Sequence, residues 1–298
     1  MLKLQTPVET GRSEVRISLK DKIMLLGSCF SDNIGEIMSR MGFNVCVNPF
    51  GTLYNPVSVC NSVHRIASSV PFSKDECVKM GAGSDLVCSF SHHTAAARST
   101  EEEFLRDANK ALEEASAFFR DADTVIVTLG TAWTFRYLET GEIVSNCLKR
   151  NASEFSRERL PLGQAVTLLR SLVSRYSSDG ILARGIKPKR FIFTVSPIRH
   201  FKDGAHGNQT SKSVLLLAVD AVCEAFPSVC QYFPAYEIMM DELRDYRFYA
   251  EDMLHPSQQA VEYIWERFRD FALPEEELPE LERNRKAYLQ SRHRPITR

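Results

Sequence analysis

Five short apolar runs constrain this chain more than any other feature. They fall at residues 23–26, 43–48, 124–130, 190–196 and 229–233, and each gives way to a glycine, serine or proline. Dense in β-branched and aromatic residues and flanked by turn formers, they read as buried strands. Between them, apolar residues recur at helical spacing: Ile34, Ile37, Met38 and Met41, then Phe104, Ala108, Leu112 and Ala115, then Val166, Leu169, Leu172 and Val173. Strand and helix alternating in this way predict an α/β fold, a parallel sheet with helices on both faces. Open sheets of this kind bind ligands at their carboxyl edge, so the residues just past each run are the candidates for function.

The first such place is Gly27-Ser28, between residues 23–26 and the helix-patterned segment that Gly42 stops. A serine there meets unpaired amides and the positive end of a helix dipole, which suits a nucleophile or an anion. It equally suits a helix N-cap. Far along the chain, Asp252 and His255 stand three apart before Pro256 and a new helix pattern. A carboxylate in that position can fix the imidazole tautomer and stabilise its protonated form, and the imidazole can activate a serine. Ser28, His255 and Asp252 are therefore the predicted catalytic set. Other strand ends carry Asn48 and Gly51, Gly130-Thr131, and a donor-rich loop with Arg199, His200, His206 and Asn208. That loop suits a carboxylate, a phosphate or a sugar, with Arg199 able to make bidentate contacts. A metal held by His200 and His206 lacks a carboxylate constellation beyond Asp203, so no metal and no cofactor is expected.

Several function classes are excluded. The 298 residues carry a formal net charge of -1, which leaves no nucleic-acid footprint. No apolar run approaches the ~20 residues that span a bilayer, and Met1-Leu-Lys-Leu lacks a secretory h-region. The eight cysteines include no Cys-x-x-Cys pair, so neither a zinc knuckle nor a dithiol motif is indicated. The cytoplasm is the expected compartment. His92-His93 lies in a polar stretch and reads as a solvated loop, with a substrate-facing role as the alternative. Residues 1–272 are predicted to form one α/β domain. Residues 273–298, acidic and then basic, are predicted to be a charged extension forming a solvated, fraying helix.

Gly27-Ser-Cys-Phe-Ser31, Asn48-Pro-Phe-Gly-Thr-Leu-Tyr-Asn-Pro56, Thr128-Leu-Gly-Thr-Ala-Trp133, Thr194-Val-Ser-Pro-Ile-Arg-His200, Asp203-Gly-Ala-His-Gly-Asn-Gln209 and Asp252-Met-Leu-His255 together resemble the GSCFA family. Ser31 stands where the family motif has alanine. The family is similar to SGNH (GDSL-type) hydrolases, which implies a flavodoxin-like sheet of order 2-1-3-4-5 and cleavage of esters. The resemblance also implies an oxyanion hole made by the amides of Ser28 and Gly51. At Gly130-Thr-Ala-Trp133 the asparagine usual in SGNH enzymes is absent, and Thr131, Asn48 or Asn208 are its possible substitutes. On this reading Arg199, His200, His206 and Asn208 bind substrate, a small-molecule or carbohydrate ester or a cell-envelope precursor. Hydrolase and acyltransferase are not separable. Two rivals stand beside it: a scaffold or carbohydrate-binding protein that has lost catalysis, and a Cys29 nucleophile. Cys29 ranks last because its side chain is expected to point away from the side that Ser28 faces.

Overall fold

The computed structural model describes residues 5–178, 181 and 185–292. β1 (Lys22–Gly27) leads through α1 (Cys29–Arg40) to β2 (Asn44–Val47) and α2 (Pro56–Ser68). A small hairpin, β3 (Val78–Lys79) with β4 (Val87–Cys88), precedes α3 (Glu101–Asp121) and β5 (Thr124–Leu129). An excursion of β6 (Trp133–Tyr137), β7 (Ile143–Val144) and β8 (Phe155–Arg159) follows, then α4 (Leu162–Ser177), β9 (Arg190–Val195), α5 (Gly204–Ala225) and β10 (Cys230–Phe233). The short turn α6 (Ala235–Glu237), α7 (Gln258–Ala272) and α8 (Leu278–Arg292) complete the chain.

The central sheet is parallel, in the order β10-β9-β5-β1-β2. Counting only its own strands, this is the flavodoxin-like order 2-1-3-4-5. Successive strand residues face opposite sides, and both sides are dry. Met24, Leu26, Val125, Val127, Phe191 and Phe193 pack beneath α2 to α5, while Ile23, Leu25, Ile126 and Ile192 pack against α1 and α7. That double burial is why the strands read as continuous apolar runs. The register places Gly27, Thr128 and Thr194 side by side, so Ser28, Gly130 and Ser196 all lie just beyond one edge.

Two expectations are corrected here, for His92 and for the C-terminal segment. His92 is buried, its Nδ1 2.7 Å from the Ser89 hydroxyl and its ring against Phe50, Phe72 and Phe104. Apolar neighbours, which a polar local sequence does not reveal, draw it inward and push its pKa down to about 4. Residues 134–160 are an antiparallel sheet, β7-β6-β8, packed over the carboxyl edge. The C-terminal segment is helical as expected, but α8 docks on α1: Leu281 is buried, and Asn284 donates to the Met41 carbonyl at 2.9 Å. Residues 293–298 lie outside the described part. No described helix is long and apolar enough to cross a membrane.

Candidate active site

Gly27 fixes the turn from β1 into α1. Its φ is +138°, and a Cβ there would stand 2.1 Å from the Thr128 carbonyl oxygen. Only glycine lets β1 and β5 come so close. Ser28 then caps α1, its Oγ accepting from the Phe30 amide at 3.3 Å and donating to Ser196 Oγ at 3.1 Å. It has no exposed surface.

The next residue takes the place expected of Ser28. Cys29, first in α1, is half-buried and forms part of the wall of a cleft of about 430 Å³ at the carboxyl edge. Tyr54, Thr131, Trp133, His200 and His255 share that wall. The reason is geometric. An N-cap side chain turns back over the helix end to reach its amides, whereas the following side chain projects outward. Burial raises the Cys29 pKa, the Asp32 carboxylate adds to the rise, and the amides of Cys29 and Phe30 work against it.

His255 and Asp252 are joined by a hydrogen bond. The Asp252 carboxylate accepts from His255 Nδ1 at 2.5 Å and from the amides of Leu254 and His255 at 2.9 Å each. These bonds, the backbone ones foremost, hold its pKa down to about 2. With Nδ1 committed, Nε2 is the basic nitrogen. Among the described residues, the partners of Ser28 Oγ are Ser196 and Phe30, and His255 is not one of them.

The expected oxyanion donors are largely spent. The Ser28 amide donates to the Thr128 carbonyl at 3.1 Å and the Gly51 amide to the Asn48 carbonyl at 2.7 Å. Gly51 keeps a different necessity: φ is +83°, and a Cβ would stand 2.3 Å from His93 Cβ. Asn48 is buried as a tie, accepting from the Gly27 amide at 2.8 Å and donating to Asp32 at 2.6 Å. Thr131 does face the cleft, its hydroxyl 2.9 Å from that of Ser211. The Cys29 amide, first in its helix, has no helical acceptor.

The donor-rich loop divides. Arg199 and His200 line the cleft, and Trp133 is a wall rather than core. Arg199 pairs with no carboxylate among the described residues; it donates to the Met253 carbonyl and lies over Tyr249, bracing the Asp252–His255 loop. His200 is held near pKa 4 by burial, with Lys212 and His255 adding to the effect, so its ring is neutral. Asn208 is buried and accepts from the His200 amide at 2.9 Å, a bracing role. His206 is exposed on the first turn of α5, outside the cleft wall.

Sequence reasoning missed three side chains. Lys212 is buried under the cleft floor and donates to the carbonyls of Gly130 and Ser196 at 2.7 Å each, tying the ends of β5 and β9. Its signal was a lysine on the apolar stripe of α5, in line with Leu215, Val219 and Val222. Arg157 and Lys202 also line the cleft. Arg157 shares its face of β8 with Phe155, a weak hint, and Lys202 left none.

The GSCFA family profile matches residues 22–268, which hold every strand of the central sheet and every residue of the cleft wall. A solved structure of a family two carbohydrate esterase from Clostridium thermocellum in complex with cellohexaose is similar at 12% identity and a TM-score of 0.38. The match covers 85% of this chain but only 63% of that one, and a likeness so distant carries no argument about chemistry. None of the curated proteins compared matches the chain.

Proposed function

Because this chain belongs to the GSCFA family, we propose that it is an SGNH-like acyl-ester hydrolase or acyltransferase working through Cys29, His255 and Asp252, rather than through Ser28. One observation carries the reading. Of the two adjacent nucleophiles, only Cys29 shares a cleft wall with His255, while the Ser28 hydroxyl is buried and committed.

A thiol whose pKa is raised rests protonated at neutral pH, so it needs a base at the moment of attack. His255 Nε2 takes the thiol proton as sulfur adds to the ester carbonyl, and the carbonyl electron pair moves onto oxygen. The Cys29 amide and the Thr131 hydroxyl are the donors at hand for that oxyanion. Such donors are worth about 3 kcal/mol each in well-studied hydrolases. The intermediate collapses to a thioester, and the leaving alkoxide takes the proton from the imidazolium, which Asp252 has stabilised. Water or an acceptor alcohol, deprotonated in turn by His255, releases the acyl group. A cavity of about 900 Å³ meets the cleft at Ser145 and is lined by Asn61, Ser62, Arg65, Arg136 and Arg175. Its hydrogen-bonding groups suit the hydroxyl-rich part of a carbohydrate ester.

The test is acyl trapping with p-nitrophenyl acetate. An acetyl group on the Cys29 peptide, removable by neutral hydroxylamine as a thioester is, should form in wild type and in Ser28→Ala but not in Cys29→Ala. Ser28→Ala should lose only about 1 kcal/mol of stability, as a lost cap does. Acetyl found on Ser28 instead, or hydrolysis undiminished in Cys29→Ala, would sink the assignment. The spent amides of Ser28 and Gly51 favour the non-catalytic binding protein. That reading prevails if no member of a broad ester panel is turned over by protein whose Cys29 still alkylates.

A further inference from the structure

We propose that the cleft binds a ligand carrying a compact oxyanion, a carboxylate or a phosphate, and that Arg157 is its receptor. For the word substrate this rests on the acyl-transfer reading above; for the binding site it does not.

The charges of the cleft wall are one-sided. Arg157, Arg199 and Lys202 contribute to it, and no Asp or Glu does. Three carboxylates around the cleft are already occupied: Asp203 by Arg157, Asp252 by His255, and Asp32 by Asn48. Behind the floor lies Lys212, also without a carboxylate among the described residues, its Nζ shared by two carbonyls and 5.4 Å from the centre of the Tyr236 ring. His200 is neutral and His255 is held by Asp252, so neither adds negative charge. An anion entering this space meets Arg157, Arg199 and Lys202 on the wall, with the carboxylates of Asp32 and Asp252 set behind it.

Arg157 is built to receive it. Its Nη2 is pinned to Asp203 at 2.5 Å, and its guanidinium lies over the rings of Phe135 at 4.9 Å and Trp133 at 5.4 Å. One bond and two aromatic faces thus fix its plane before any ligand arrives. Nε and Nη1 are nevertheless buried with no partner among the described residues, as is Nε of Arg199. Buried donors left unpaired are costly, so the Arg157 guanidinium gains from any acceptor that the wall lets reach it. Arginine on an oxyanion does so with charge-assisted bonds. Lys202, exposed and with its Nζ 5.1 Å from the centre of the Phe135 ring, adds a movable cation at the mouth. The larger neighbouring cavity is less suited, because Arg65 and Arg136 there are paired with Glu76 and Glu158, and Arg175, which has no carboxylate partner among the described residues, is exposed.

The test uses the full chain and reads binding without turnover. Butyrate and methyl phosphate, neither of them a carboxylic ester, are titrated separately at constant ionic strength against chloride, following melting temperature and tryptophan emission, to which Trp133, its indole beside Arg157, contributes. Either anion should raise the melting temperature and perturb the emission; response to one alone identifies the group. Arg157→Gln keeps a donor for Asp203 and should weaken binding about tenfold or more. Lys202→Gln, at an exposed position, should weaken it about threefold. If Arg157→Gln does not fold, the wild-type titrations and Lys202→Gln decide the matter. The proposal is overturned if neither anion exceeds chloride in wild type, or if folded variants respond undiminished. Anion binding by a protein that turns over no ester would remove the acyl-transfer reading and leave this site standing.

Discussion

Lys189 lies in the core with its Nζ donating to the carbonyls of Ala122 at 2.7 Å and Arg120 at 3.2 Å, and Lys212 lies likewise under the cleft. Burial pushes both pKa values down to about 7. Unfolding returns them to roughly 10.4, so above pH 7 the unfolded chain binds more protons than the folded one. Their contribution to stability is complete only above the unfolded value and is lost as pH falls towards 7. Buried thiols such as Cys60, pushed up to about 12, oppose this above roughly pH 8.5. The clean window is therefore pH 7 to 8.5 or so, and the clean comparison is with Lys189→Met, remote from the cleft. Wild type should gain more thermal stability than the variant between those limits; equal gains would refute the neutral-lysine account. At Gly27 the expectation is steric. Gly27→Ala forces a Cβ onto the Thr128 carbonyl at a φ of +138°. It should cost on the order of 3 kcal/mol or more in urea unfolding, and a loss below about 1 kcal/mol would show that the turn can relax. The neighbouring pair marks where local reading stops. That residues 28–29 sit at the carboxyl edge, where a nucleophile is proposed, follows from strand, glycine and helix pattern. Which of the two faces the ligand depends on the capping geometry of a single turn, and a one-residue shift reverses it.

At the scale of elements, the helices and strands that bury one or two faces were legible because burial imposes a period on the sequence. α3 begins where its capping signal lies, with Thr100 accepting from the Glu103 amide, and runs to Asp121. The excursion β6–β8 was legible only as a departure from the alternation, because its meaning comes from what it covers. α8 was legible as a helix but not as a docked one, since a single buried leucine in a charged stretch sets no period. That leucine gives a test. Leu281→Asp should detach α8 from α1 and cost about 2–4 kcal/mol by lost burial, with faster amide exchange in residues 278–292. Unchanged exchange would mean that Asn284 and the contact of Arg40 with the Tyr288 ring hold α8 without it.

At the scale of the molecule, parallel strands bring Cys29, Thr131 and the Arg199–His200 loop to one edge although more than 170 residues separate the first from the last. The second cavity adjoins this edge, and Arg175, exposed there with no carboxylate partner among the described residues, supplies its unpaired charge. If a polar part of the substrate lodges in that cavity, Arg175→Ala should raise KM several-fold for a carbohydrate ester and leave kcat, and all constants for p-nitrophenyl acetate, unchanged. A variant that loses both substrates equally would remove the cavity from the binding path.

The cleft draws Cys29, the proposed nucleophile, from the end of β1 and much of its opposite wall from β6 and β8, an excursion closed where the Leu160 amide meets the Ala132 carbonyl at 2.8 Å. On the proposed reading, chemistry and selectivity thus occupy largely separate stretches of chain. The exposed turn at residues 138–142 can lengthen, shorten or change charge without moving Gly27, Cys29 or the Asp252–His255 loop, whereas Leu148 is buried in the core and the amides of Ser145 and Asn146 donate to the Phe90 carbonyl. Related chains can therefore keep one reaction while exchanging ligands, and grafting this segment between two of them should transfer preference while leaving the acylation chemistry in place.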